Sequence, residues 1–151
     1  MANTQAMCTS FKTELLTATH NFGTAPTRGS GTADTFYGAL YLASASLGPG
    51  TTTYSSTGEV SGTGYTPGGV AVTNAVAPTS SGTTAYWTPS ASLVYTSVTL
   101  TTSFDTVLIY NQTQGNKAVS VHTFGSQTIT AGTFTLTMPA NTSTTALIRL
   151  A

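Results

Sequence analysis

From Ala33 onward the apolar residues of this sequence recur at every second position, a period that fits extended strands and not helices. Over Thr35 to Ala43, Phe36, Leu40 and Leu42 fall on one side and Tyr37, Ala39 and Tyr41 on the other, so both faces need cover. Further strands are predicted at Val70 to Val76, Thr83 to Thr88, Leu93 to Leu100, Thr106 to Asn111, Ala118 to Phe124, Thr133 to Met138 and Ala146 to Leu150. A short one is expected at Glu59-Val60. Val107-Leu108-Ile109-Tyr110 is apolar without a break, as a central strand buried on both faces would be. Gln114-Gly115-Asn116 then forms a turn, which makes the strands on either side of it a hairpin. Residues 44–69 read as loop, with turns at Gly48-Pro49-Gly50 and Pro67-Gly68-Gly69. Many short strands without helices between them predict an all-β fold, an antiparallel β-sandwich of jelly-roll or immunoglobulin-like type, with a closed barrel as the alternative.

One segment breaks the period. Met7, Phe11, Leu15, Ala18 and Phe22 recur at helical spacing, and the helix is expected to stop near His20-Asn21. It offers about three turns, too few to be stable alone, so it must dock on its own sheet or on a neighbouring subunit. That apolar face is the candidate surface for docking a partner. The chain divides into an N-terminal arm with a short helix, residues 1–32, and a β-sandwich, residues 33–151, together one domain.

Only four Lys or Arg and four Asp or Glu occur in 151 residues, 5% of the chain against about 25% in an average soluble domain. Threonine takes the place of charge, at 35 positions. Its β-branch suits a strand, and its hydroxyl lets a solvent face press on another protein without desolvating ions. The basic residues Lys12, Arg28, Lys117 and Arg149 are scattered and the net charge is zero, so no nucleic-acid partner is expected. No run approaches the roughly 18 apolar residues of a membrane span, so no membrane partner is expected either. Met1-Ala2-Asn3-Thr4-Gln5 has no basic segment leading into an apolar run, and the expectation is that no secretory signal is present. The single Cys8 excludes an intramolecular disulfide. So little charge gives little colloidal protection, and the chain is expected to work in an assembly, as a homo-oligomer.

Catalytic groups are scarce. Glu14, Asp34, Glu59, Asp105, His20 and His122 are the candidates for acid and base chemistry. Glu14 and His20 fall on different faces of the proposed helix and are not expected to pair, which leaves His122 with Asp105 as the one long-range pair for a hydrolase. No serine stands in a G-x-S-x-G elbow. Two distant His and one Cys do not make a zinc site, and isolated aspartates do not make a calcium site. Gly62-Thr63-Gly64 with Gly68 misses the dinucleotide spacing and reads as a flexible turn. The sequence therefore predicts no catalytic residues, no cofactor and no metal. Tyr54, Tyr65, Tyr86 and Trp87, with Tyr95, flank loops and are the candidates for stacking on a glycan, against the alternative that they pack the sheets.

Several segments carry a likeness to known proteins: Met7-Cys8-Thr9-Ser10-Phe11-Lys12-Thr13-Glu14-Leu15-Leu16 with His20-Asn21-Phe22, Asp34-Thr35-Phe36 to Ala39-Leu40-Tyr41, and Gly58-Glu59-Val60-Ser61-Gly62-Thr63-Gly64-Tyr65. Leu108-Ile109-Tyr110-Asn111, Phe134-Thr135-Leu136 and Ile148-Arg149-Leu150-Ala151 extend it over nearly the whole chain. The chain resembles small virion-associated structural proteins of tailed phages, of the cyanophage and marine-phage type. The resemblance implies a particle component made in the cytoplasm of a host bacterium, and no reaction. A capsid decoration (cement) protein over joints of the major capsid protein, as a trimer, is the leading expectation. A neck, tail, baseplate or fibre subunit is the alternative, and a host glycan-binding module is a third.

Overall fold

The computed structural model describes residues 2–16, 18–22, 33–73 and 76–151, with Leu16 described by its backbone alone. In chain order the elements are β1 (Ala6–Met7), α1 (Thr9–Leu16), β2 (Phe36–Leu42), β3 (Val70–Ala71), β4 (Thr79–Ser81), β5 (Thr84–Trp87), β6 (Leu93–Asn111), β7 (Lys117–Leu136) and β8 (Ile148–Leu150). One sheet runs β1-β7-β6-β2-β3 and a second runs β4-β5-β8, with every pairing antiparallel. The fold is thus all-β, with one short N-terminal helix.

The strands β6 and β7 are each longer than the period suggests. Thr101-Thr102-Ser103 and Gly125-Ser126-Gln127 read as breaks, yet β6 and β7 stay paired on both sides of them, with register shifts at Val98, Leu100 and Phe104. Those bulges bend the ribbon. Ser97 and Ala131 take positive φ of 54° and 46° at the bend. The first half of β6 consequently folds back over β2: Tyr95 donates its hydroxyl to Gly38 O at 2.7 Å, and a Cβ on Gly38 would meet Leu93 Cδ1 at 2.4 Å. Phe104, Phe124 and Phe134 close the fold, with ring centroids 5.1 to 6.1 Å apart. The layers of the sandwich are therefore made from one ribbon turned on itself.

Both faces of β2 are covered, as its alternation requires. The hairpin at Gly115-Asn116 forms with both residues at positive φ, and Val107 to Tyr110 are buried. Elsewhere the period misled. Of the strand predicted at Val70 to Val76, the described residues form only the two of β3, residues 74 and 75 lying outside the described residues, and Glu59 forms an isolated bridge with Tyr41 in place of a strand. β4 falls between two of the predicted strands, at residues for which no strand is expected.

The N-terminal helix is shorter than its apolar spacing predicts. It ends at Leu16, Ala18 lies beyond it at φ 53°, and Met7 belongs to β1. Phe22 is outside the helix but 9% exposed, stacked on Phe36 with centroids 4.4 Å apart and 4.8 Å from Trp87. Phe11 is fully buried against Phe22 and His20. The face proposed for a partner is thus divided: Phe11 and Phe22 fill this chain's own core, Met7 and Leu15 pack on its margin, and Ala18 is exposed. Arm and strands share one core, so the division at residue 32 separates no second hydrophobic unit. Phe11→Ala should lower stability by about 3–5 kcal/mol, read as a shift in urea midpoint at constant m.

Candidate functional site

A helix that ends at Leu16 changes what its polar residues can reach. The chain turns back through Ala18 and returns His20 to Glu14, whose Oε2 lies 2.7 Å from His20 Nε2. This overturns the expectation that the two would not pair, which rested on a helix continuing to His20. Lys117, at the start of β7, donates Nζ to Glu14 Oε1 at 2.6 Å. On the other side of the ring, Asn111 at the end of β6 donates Nδ2 to His20 Nδ1 at 3.0 Å and to Asp34 Oδ2 at 2.7 Å. Asp34 also accepts from Asn21 N at 2.8 Å and from Gln114 Nε2 at 2.9 Å. Because the Asn111 amide donates to Nδ1, the imidazole proton sits on Nε2 and is given to Glu14. The network ties the arm, the lead into β2 and the β6–β7 turn together.

Burial holds His20 below its ordinary 6.5, although Glu14 pulls the other way. Glu14 pays a burial penalty that Lys117 and His20 outweigh, so its carboxyl lies below the usual 4.5. Both shifts run downward, which favours the neutral imidazole of His20 and the charged carboxylate of Glu14. These residues form a mutually hydrogen-bonded cluster, buried at His20, Asn21, Asp34 and Asn111 and partly exposed at Lys117, that clamps the arm to the sheet.

A second cluster surrounds Glu59. Its carboxylate accepts from Tyr54 Oη at 2.6 Å, Tyr65 Oη at 2.7 Å and Gly68 N at 2.7 Å. Tyr65 Oη accepts from Leu40 N at 3.0 Å, and Val60 N donates to Leu40 O at 3.0 Å, so this loop runs along the outer edge of β2. Burial and then the Glu59 charge push the phenols of Tyr54 and Tyr65 up, and that of Tyr110 up to about 12. Gly62-Thr63-Gly64 is pinned and not a flexible turn: Thr99 N donates to Thr63 O at 2.9 Å, and a Cβ on Gly62 would stand 2.0 Å from Thr99 O.

The candidate glycan aromatics do not form a platform. Trp87 is 2% exposed and donates Nε1 to Val76 O, while Tyr65 is 9% exposed and Tyr95 2%. Tyr54 lies on Tyr110, centroids 4.8 Å apart. Tyr86 is half-buried beside a small apolar hollow of about 120 Å³ with Pro78 and Leu150. Sugar stacking needs open ring faces, and Trp87, Tyr65 and Tyr95 have spent theirs on the core.

His122 and Asp105 are not hydrogen-bonded to each other. His122 Nε2 lies 2.8 Å from Ser120 Oγ, and Asp105 Oδ1 accepts from Asn3 Nδ2 and Thr106 Oγ1. Ser120 and His122, two apart on β7, share one side of the strand and face a cleft of about 380 Å³. Burial lowers His122 to about 4, so it is a neutral imidazole at pH 7. Cys8 is fully buried and its thiol is pushed up to about 11 by burial and then by Glu14, which makes it unreactive. Among the described residues no group of three or more His, Cys, Asp or Glu could hold a metal, and no helix is long and apolar enough to cross a membrane.

These shifts set an acid dependence. A histidine depressed in the fold binds its proton more readily when unfolded, so the stability it confers is complete above 6.5 and is lost as pH falls towards its folded value. For His122 the window runs from 6.5 to about 4. The loss across it amounts to about 3 kcal/mol. His20 adds in the same direction below 6.5, and Glu14 below 4.5. Urea midpoints measured from pH 7.5 to 4 should fall steadily, and His122→Gln should flatten the curve.

No family model, no curated protein and no solved structure matches this chain.

Proposed function

We propose that this protein is a structural component of a tailed-phage particle, with capsid decoration as its leading role and neck, tail, baseplate or fibre as the alternative placement. The observation that carries the reading is the stretch between Lys117 and Arg149, which spans β7 and reaches β8 without one charged residue while Ser126, Thr128, Thr130, Thr133 and Thr135 stand exposed. An isolated soluble domain usually protects such a surface with charge. A particle subunit meets neighbours over wide areas, where neutral hydroxyls lose less on desolvation than ions do. The likeness of the sequence to phage virion proteins supports the same reading. The glycan-binding role is disfavoured by the burial of Trp87 and Tyr65.

Mass spectrometry of purified particles tests this directly. Hundreds of copies per particle place the chain on the head shell, and a dozen or fewer place it in the neck, tail or fibre. Finding the chain in infected cells but absent from particles overturns the proposal.

A further inference from the structure

The first sheet is not covered evenly. Towards β2 its inner face is closed by the folded-back half of β6: a Cβ on Gly38, in register with Ile109, would meet Leu93 Cδ1 and Tyr95 Oη. Towards β1 the same face carries Met7, Ser120 and Ile109 in one cross-strand row and His122 and Val107 in the next. Cover there comes from residues 136–139 and 145–149, and it is incomplete. Two hollows, of about 380 and 200 Å³, remain over the face and share Gln5, His122, Pro139 and Leu147. Protein interiors are close-packed and leave few voids larger than a water molecule. The larger hollow alone falls in the range of small-molecule sites, about 300–1,000 Å³.

The two hollows differ in chemistry. Ser120 and His122, with Oγ and Nε2 2.8 Å apart, face the larger one, and Gln5, Thr145 and Arg149 border it. Among the described residues no Asp or Glu lines either hollow, and Arg149 is the only charged residue that does. Arg149 gives Nη1 to Thr144 O at 2.8 Å, and the rest of its guanidinium makes no hydrogen bond or ion pair among the described residues. His122 is neutral at pH 7, so the charge of the cleft is that of Arg149. A guanidinium carries five donors in a fork that matches a carboxylate. The smaller hollow is mostly apolar, with Val107, Ile109, Leu136 and Met138 in its walls, and His122 stands where the two meet. The arrangement is a cation and hydroxyls at one end and aliphatic side chains at the other.

We infer that this cleft binds a small organic carboxylate with a short aliphatic tail. The carboxylate meets Arg149 in the larger hollow, and the tail passes His122 into the smaller one. Ion pairing fixes the orientation of the ligand, and burial of the tail supplies most of the affinity. This goes beyond the particle role and needs no neighbour in a particle.

The test uses the full chain in solution at neutral pH with three probes: hexanoate, hexanamide, which keeps the tail and loses the charge, and acetate, which keeps the charge and loses the tail. Binding is followed by NMR. Millimolar hexanoate should shift the amides of Ser120, His122 and Arg149 to saturation, and its terminal methyl should give cross-relaxation to the methyls of Val107 and Ile109. Hexanamide and acetate should each bind about tenfold more weakly. Arg149→Gln, at an exposed position, should leave the rest of the spectrum in place and bring hexanoate down to the affinity of hexanamide. Absence of a saturating shift with hexanoate overturns the inference, as does saturation that moves other residues in place of these. Acetate binding as tightly as hexanoate overturns it too, and so does a preference for hexanoate over hexanamide that survives Arg149→Gln. None of these readings depends on where the chain sits in a particle, so copy number and carboxylate binding fail separately.

Discussion

Asn111→Leu is expected to lower stability by about 3–5 kcal/mol, which for a chain of this length moves Tm by about 10–15 °C. Asn111 is fully buried, and its amide serves both His20 and Asp34. Leucine fills a similar volume but leaves Nδ1 of His20 without a donor and removes one donor from a carboxylate that is 5% exposed. Loss of a partner from a buried charge is among the most damaging changes a fold can suffer. Asn111→Asp refines the test. It sets a second carboxylate against Asp34, so its deficit relative to the unaltered chain should be larger at pH 7.5 than at pH 5, where one of the two carboxyls takes up a proton. Equal deficits at both pH values would show that packing, and not the hydrogen-bond network, makes Asn111 important.

Gly69→Ala should be about as damaging, for a different reason. Gly69 has φ +79°, and a Cβ there would lie 1.8 Å from the carbonyl oxygen of Gly38. That oxygen belongs to β2 and cannot swing aside as a side-chain tip could. Either β3 leaves β2 or the edge of the sheet distorts, at about 4 kcal/mol or more. Gly82→Ala is the control, since it shares the left-handed conformation at φ +58° but has open space around it. It should cost about 1 kcal/mol, the conformational part alone. Similar urea midpoints for the two variants would refute the steric account.

Much of the framework was legible because alternation and burial are the same fact in a sheet. The period identified β2, β5 and the β6–β7 hairpin, and the unbroken run at Val107 to Tyr110 marked the strand between β7 and β2. Continuity was not legible. Polar residues such as Thr101 and Ser126 end a strand in most sequences, but in a chain whose solvent faces are threonine they also line a bend, and the pattern cannot separate the two.

The clamp was hidden by the N-terminal helix. Apolar residues continue at helical spacing to Phe22, but after Leu16 the backbone leaves the helix, and Phe22 meets the core from a loop. Half of the clamp could have been found. Pairing β2 with β6 puts Phe36 opposite Asn111, so Asp34 lies just past the end of β6. In a chain with eight charged residues, an aspartate beside a strand-end asparagine calls for a partner. The cluster at Glu59 had no such signal, because it depends on how a long loop closes.

The pairing of β1 with β7 also dictates an order of events during synthesis. Ala6 leaves the ribosome long before its partner Val121, and Phe36 must wait for Asn111 in the same way. Until then the nascent chain holds Phe11, Phe22 and Phe36 with no sheet to receive them. Such non-local topologies fold in milliseconds to seconds and expose apolar surface meanwhile. The hairpin of β6 and β7 is the one extensive structure that can form from adjacent sequence. The arm with β1 and the strand β2 then close around it, so yield in a heterologous host should respond to chaperone supply and to slower synthesis more than to any change on the finished surface.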